Sequence, residues 1–287
     1  MKINYENAIE KIDILEKSER TKSNLKSTLR RMQRANVKSS DTIYKYIIEL
    51  EDGTSIKKST YQSLVSTISS LMSNNIIDPS HQADIKKKLL QLSLQSQQQQ
   101  SDKPSEKEQD HFISLPKLRE KVSKIDNIQD RLLVSLYIDR PPIRADYANI
   151  LIVKNDDEVT DDKQNYYNIT TGKIVLLNYK TANVYKQKVL QLSPSHQELI
   201  KASLKDKPRD YLFVTPKGQP YSNNNFSKLI SKTFTKIYQK PITLLDIRHI
   251  YASHYNINDY SVDVVKDIAD KMLHSLSMNV MKYQKKY

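Results

Sequence analysis

The sequence predicts a mostly α-helical chain with one small β-sheet, helical in its first part and α+β in its second. Three observations carry this. Apolar residues recur at helical spacing through most of the chain. Clustered β-branched and apolar residues around a turn occur mainly between 173 and 192. A polar, low-complexity run, QSQQQQSDKPSEKEQ, separates two stretches that each have apolar periodicity of their own. At 287 residues the chain is longer than one typical domain, so two domains are expected.

Between residues 5 and about 94 the spacing predicts short helices joined by turns. Tyr5 to Leu15 places Ala8, Ile9, Ile12 and Leu15 at helical intervals, Leu25 to Met32 continues through Leu29, and Ser59 to Met72 sets Leu64, Ile68 and Leu71 on one face. Basic residues crowd the second of these helices: Lys22, Lys26, Arg30, Arg31, Arg34 and Lys38. Such a stripe can track a nucleic-acid backbone, and its plain alternative is a solvated helix face. From 95 to 110 the chain offers nothing to bury, and a linker is expected.

A second unit is expected over 111–287. Ser114 ahead of LPKLREKV is a helix entry signal for Ile113 to Val122, and Ile128 to Ile138 is an apolar helix that Pro141 and Pro142 stop. Lys173 to Leu177 and Val184 to Leu192 read as two strands around a turn. Ser195 to Ser203 returns to helix, and Tyr211 to Val214 is a short apolar run before the turn PKGQP. Asn224 to Tyr238, Leu244 to Tyr255 and Val262 to Met272 are again helical.

Lys and Arg number 46 against 33 Asp and Glu, a formal net charge of +13. That surplus suits a polyanion partner, because each phosphate a cation neutralises releases condensed counterions. Its alternative is self-repulsion that keeps a protein monomeric. The absence of cysteine excludes disulfides, Cys-type zinc fingers and thiol nucleophiles. The first twenty residues carry no signal-peptide pattern and no apolar run reaches the length of a membrane span, so no membrane is expected and a cytoplasm or nucleus is the expected compartment. Three glycines in the whole chain argue against Gly-rich phosphate loops, and neither a Walker nor a dinucleotide fingerprint occurs.

The last forty residues hold Arg248 in LLDIRHIYASH, His274 in MLHS, and Tyr283 nine residues after that histidine. A phosphate gaining a fifth oxygen carries extra negative charge and needs fixed donors at its non-bridging oxygens. Arginine suits the task, since its guanidinium stays protonated and grips two oxygens at once. A tyrosine can then attack as a covalent nucleophile and store the energy of the backbone bond, so neither ATP nor a metal nor another cofactor is required in principle.

In this order the residues resemble the tyrosine recombinase, or phage integrase, family, whose signature runs Arg, Lys, His-x-x-Arg, His or Trp, Tyr. The resemblance implies a helical DNA core-binding domain over 1–94, a linker over 95–110 and a catalytic domain over 111–287. Its basic stripe would then bind DNA. Arg144, in PPIRADYANI, falls where the family has its first arginine, although the accompanying acid is Asp146 and not one residue later. A buried structural pair with Asp146 is the alternative. Lys180, in LNYKTANVYKQKVLQL, resembles the hairpin lysine that protonates the leaving 5′ oxygen, with Lys186 and Lys188 as rivals. Arg248 matches the second arginine, but the histidine of His-x-x-Arg is replaced by Leu245, which can neither take nor give a proton. The phenol's proton must then leave through Lys180, His274 or water, or the chain is slow or inactive. His274 precedes Ser275 as in the family's Gly-His-Ser segment, with leucine for glycine, and Tyr283 falls at the nucleophile, with Tyr287 its nearest rival.

The resemblance implies a recombinase or integrase that cleaves and rejoins double-stranded DNA through a 3′-phosphotyrosine, self-associates from dimer to tetramer on DNA, and belongs to a virus or mobile element. A type IB topoisomerase-like enzyme and a catalytically inactive DNA-binding relative, the latter motivated by Leu245, are the other readings.

Overall fold

Polar caps and buried stripes build the first part of the chain. The computed structural model describes residues 2–52, 56–98 and 103–287, in two units, Met1–Gln100 and Ser101–Tyr287. The first unit contains α1 (Tyr5–Asp13), α2 (Glu19–Arg34), α3 (Ser40–Asp52), α4 (Lys58–Ser73) and α5 (Gln82–Gln98). Asn4 caps α1 by accepting from the Asn7 amide, and Ser18 caps α2 by accepting from that of Thr21. Along α2 the buried positions Leu25, Leu29 and Met32 follow the helical period, and with Ile12, Ile43, Ile68 and Leu71 they form one core. Helices α2 and α4 both stop at an asparagine in left-handed backbone, Asn36 (φ 58°) and Asn75 (φ 53°), the residue type besides glycine that tolerates this conformation best.

The segment 95–110, read from the sequence as a linker, holds the end of α5 and most of α6 (Glu106–His111), while residues 99–102 lie outside those described. The second unit continues with α7 (Leu115–Val122), α8 (Ile128–Ile138), a 3-10 turn over Ala145–Tyr147, β1 (Leu151–Val153), β2 (Tyr166–Asn168), β3 (Lys173–Leu176), α9 (Ala182–Tyr185) and β4 (Lys188–Gln191). There follow α10 (Pro194–Asp206), α11 (Asn223–Tyr238), α12 (Leu244–His254), α13 (Val262–Lys271), α14 (Leu276–Met278) and a π-helical turn over Asn279–Tyr283.

Seven consecutive residues of α8, Leu132 to Ile138, are buried, which makes it the helix the rest of the unit surrounds. The sheet has the order β1-β2-β3-β4, parallel between β1 and β2 and antiparallel elsewhere. Its register aligns Tyr167, Ile174 and Leu190 on the face turned to the main core, while Val153, Tyr166 and Val175 form a small cluster of their own. The fold is therefore the mostly α chain with one small sheet that the sequence predicts. One boundary needs correction. The strand expected from Val184 begins only at Lys188, because Ala182–Tyr185 folds into a helical turn that ends on Lys186 in left-handed backbone (φ 55°).

Candidate active site

Helix α12 brings Arg248 into the core. Thr243 and Asp246 start it with a capping box: the Thr243 hydroxyl accepts from the Asp246 amide at 3.3 Å, and the Asp246 carboxylate accepts from the Thr243 amide at 2.8 Å. Arg248 is only 2 % exposed, among the most buried large side chains. A buried guanidinium needs acceptors, and it finds backbone ones: Nη1 donates to the Pro142 carbonyl, and both Nη atoms lie 3.3 Å from the Met272 carbonyl oxygen. Leu245, one turn earlier, is 54 % exposed and offers no polar atom to the site.

The turn that closes α13 organises much of what remains. Leu273 adopts φ 60°, its amide donates to the Asp270 carbonyl at 2.9 Å, and the His274 amide donates to that of Ala269 at 3.1 Å. This is the Schellman arrangement, and it turns the carbonyls of Met272 and Leu273 toward the arginines. Arg144 Nη1 donates to the Leu273 oxygen at 3.4 Å, and the Thr181 hydroxyl does so at 3.5 Å. Both candidate arginines thus lean on adjacent carbonyls at the negative end of one helix. Leucine in left-handed backbone is strained, because its Cβ crowds the following carbonyl.

His274 is 5 % exposed, with Nδ1 3.3 Å from the Ser275 carbonyl and Nε2 without a partner. Burial, and then the charges of Arg248 and Arg144, bring its pKa down to about 4. The ring is therefore neutral near pH 7, and with Nδ1–H directed at Ser275 its Nε2 carries a free lone pair. Ser275 then caps α14, accepting from the Met278 amide at 3.2 Å. The π-turn after α14 wraps back, so that Tyr283 stacks on His274 with ring centroids 4.8 Å apart and planes 26° from parallel. A straight α-helix would carry a residue nine positions on about 13 Å away along its axis, so the break and the wide turn make the contact.

The Tyr283 ring also lies 4.7 Å from Arg248 Cζ and meets the His249 ring edge-on at 5.4 Å. Burial pushes the Tyr283 phenol up, but the charges of Arg248, Arg144 and Lys180 together bring it below its ordinary value. Tyr287 behaves oppositely. It stacks on Phe112 at 3.9 Å, and burial, Glu108 and Asp246 push its phenol up.

Lys180 is exposed in the loop between β3 and β4. Asn165 staples the start of that loop, its side-chain oxygen accepting from the Leu177 and Asn178 amides at 2.8 Å, and the Tyr179 hydroxyl closes it on the Lys186 carbonyl at 2.7 Å. Of the rivals, Lys188 is engaged with Asp270 at 2.8 Å. Asp146 is 6 % exposed with Oδ2 unpartnered, and burial raises its carboxyl against the pull of Arg144 and Arg248.

The structure thus brings Arg144, Arg248, His274 and Tyr283 together, with Lys180 close enough to bear on the phenol. The basic residues of α2 divide. Lys26 pairs with the Asp13 carboxylate and Lys22 donates to the Asp13 carbonyl at 2.9 Å, so both tie α2 to the end of α1. Arg30 and Arg34 on α2, and Lys38 beyond its end, are exposed. Arg31 lines a groove of about 370 Å³ with Ser27, Thr60, Ser63 and Thr67. Two features had no reading in the sequence: the carbonyl turn at Leu273, and Glu108, whose Oε1 lies 3.2 Å from His249 Nδ1. Only the Ser105-x-x-Glu108 capping pattern that starts α6 was there to see.

No protein-family model and no curated protein matches the sequence. Solved structures do match in three dimensions. A lambda integrase dimer bound to a COC′ core site is 12 % identical, covers 93 % of this chain and 91 % of its own, and gives a TM-score of 0.57. The Tn1549 transposon integrase in complex with circular intermediate DNA is 10 % identical, covers 100 % and 96 %, and gives 0.58. A lambda integrase tetramer bound to a Holliday junction is 11 % identical, covers 98 % and 77 %, and gives 0.56. At such identities the likeness is one of fold, and the fold of this chain is that of the tyrosine recombinases.

Proposed function

We propose that this protein cleaves and rejoins double-stranded DNA as a site-specific recombinase or integrase, through a covalent 3′-phosphotyrosine on Tyr283. The observation that carries the proposal is the setting of that tyrosine: a phenol pulled down by three cations, with its ring 4.7 Å from a buried arginine. Arg144 and Arg248 would hold the non-bridging oxygens, where charge grows in the transition state. The Tyr283 oxygen bonds to phosphorus as the bond to the 5′ oxygen breaks, and Lys180 gives that oxygen a proton. The phenol's proton goes to the bare Nε2 of His274 or to water, a route that needs nothing from Leu245. Religation reverses the steps.

Residues 1–94 would act as the DNA core-binding unit and 111–287 as the catalytic unit, with 95–110 between them, its α6 packed on α12 of the catalytic unit. The exposed Arg30, Arg34 and Lys38 are the cations best placed to meet phosphates, with Lys22, Lys26 and Arg31 beside them. Fold neighbours were solved as dimers and tetramers on DNA; self-association on DNA is proposed here as well, in a mobile element or virus.

Incubation with a nicked suicide duplex, which loses its 5′-hydroxyl fragment on cleavage, tests the chemistry. A covalent adduct that Tyr283→Phe abolishes and Tyr287→Phe retains is the expected result. The exposed Leu245 favours one other reading, a DNA-binding relative without catalysis. Absence of any adduct from the unmodified protein would establish that reading. Relaxation of supercoiled plasmid at low protein concentration would point to topoisomerase-like activity.

A further inference from the structure

Two acid–imidazole contacts join α6 to α12 in matched register. Glu108 Oε1 lies 3.2 Å from His249 Nδ1, and His111 Nδ1 lies 3.1 Å from Asp246 Oδ2, so residues three apart on one helix meet residues three apart on the other. All four side chains are largely covered, at 22 % and 9 % exposed for the first pair and 8 % and 13 % for the second. A helix of six residues cannot hold itself in water, so these contacts and the Ser105–Glu108 capping box are what fix α6.

The consequence reaches the nucleophile. His249 meets Tyr283 edge-on, with planes 78° apart, while His274 stacks on the same ring at 26°. Two imidazoles and a guanidinium therefore set the orientation of the phenol. The His274 ring is oriented by the Ser275 carbonyl, and the His249 ring has Glu108 as its counterpart. Burial lowers the His249 pKa, and Nδ1 makes no hydrogen bond, so the pair is a carboxylate packed 3.2 Å from a neutral ring, a contact that restrains ring rotation more than it adds charge. Glu108 also feels the charge of Lys285, two residues after Tyr283.

We propose that Glu108 is a positioning residue for the nucleophile: through His249 it holds the Tyr283 ring against Arg248. The proposal rests on the strand-transfer reading above.

The full chain is compared with Glu108→Ala, Glu108→Gln and Ser105→Ala. In DNA-free protein, the phenol of Tyr283 is titrated by near-ultraviolet difference, each variant against the same variant carrying Tyr283→Phe. On the nicked duplex, the single-turnover rate of adduct formation at saturating DNA is measured beside the Kd. In Glu108→Ala the Tyr283 phenol should titrate at higher pH, because the ring drifts from Arg248, and the adduct rate should fall roughly tenfold to a hundredfold with Kd within about twofold. Glu108→Gln keeps the shape and a polar oxygen packed beside the His249 ring and should restore both readouts. Ser105→Ala removes the cap hydroxyl, which also holds the Glu108 carboxylate at 2.8 Å, but leaves that carboxylate in place, so it should move both readouts less than Glu108→Ala does. The proposal is overturned if Glu108→Ala leaves the Tyr283 titration unmoved, if glutamine fails to rescue, or if Ser105→Ala matches Glu108→Ala, since the effect would then be helix stability alone. An unmodified protein that forms no adduct would sink the strand-transfer reading, while the titration would still decide the role of Glu108.

Discussion

Leu273 offers a test of the turn on which both arginines lean. Its side chain is 1 % exposed and its backbone is left-handed at φ 60°. Removing a buried leucine side chain to alanine costs about 2–5 kcal/mol, and alanine keeps the left-handed strain. Glycine loses one methyl more and adds about 0.5–1 kcal/mol of chain entropy, but it escapes a strain of roughly 1–2 kcal/mol. With about 0.8 kcal/mol for the extra methyl, these terms nearly cancel, so Leu273→Gly should be about as stable as Leu273→Ala, whereas at an ordinary helical position glycine is the worse of the two by about 1 kcal/mol. For a unit of 187 residues, 1 kcal/mol corresponds to about 2–4 °C in melting temperature. Thermal unfolding of both variants, followed by circular dichroism, reads the difference directly. The glycine variant should retain more cleavage, because the carbonyls of 272 and 273 stay aimed at Arg248 and Arg144. If Leu273→Gly melts below Leu273→Ala by the full helical penalty of about 1 kcal/mol, the left-handed turn is not what holds the site and the argument fails.

Arg144→Ala and Arg248→Ala should each lower cleavage by roughly a hundredfold or more while changing DNA affinity little, on the scale of lost oxyanion donors; a variant that cleaves normally removes that arginine from the site. Chelators should leave cleavage unchanged, and strict magnesium dependence would contradict attack by a tyrosine. The His274 pKa falls from an ordinary 6.5 to about 4, so the unfolded chain binds more protons between these values. Stability from this group is full above pH 6.5 and is lost as pH falls through 4, by on the order of 3 kcal/mol. Because burial lowers His196 and His249 as well, the comparison is with His274→Gln, whose denaturation midpoint should fall less steeply over that window; equal slopes would refute the assignment. DNA affinity should drop linearly in log–log form with salt, and Arg30→Ala should reduce the slope by about one. A flat dependence, or an unaltered slope, would remove α2 from the interface.

Local order was legible wherever a segment's own pattern decides it. Asn127 and the double proline bracket α8, and the apolar run between them can only be buried. The same holds for the sheet seen coarsely, since β3 falls where β-branched residues cluster. Strands β1 and β2 escaped because each is three residues long and Tyr166, Tyr167 and Asn168 are all buried, which erases the alternation that marks a strand. Helix α9 escaped for a different reason: Lys186 takes a left-handed conformation that lysine does not favour by itself, held by the Tyr179 hydroxyl on its carbonyl. The candidate residues Arg144, Lys180, Arg248, His274 and Tyr283 were readable because their chemistry is carried by residue type and order. Their support was not readable. Glu108 meets His249 across 141 positions of sequence, and Leu273 holds two arginines with backbone carbonyls that every residue possesses. Residue identity is written in the chain, but carbonyl direction, ring rotation and a shifted phenol exist only once distant segments pack and exclude water.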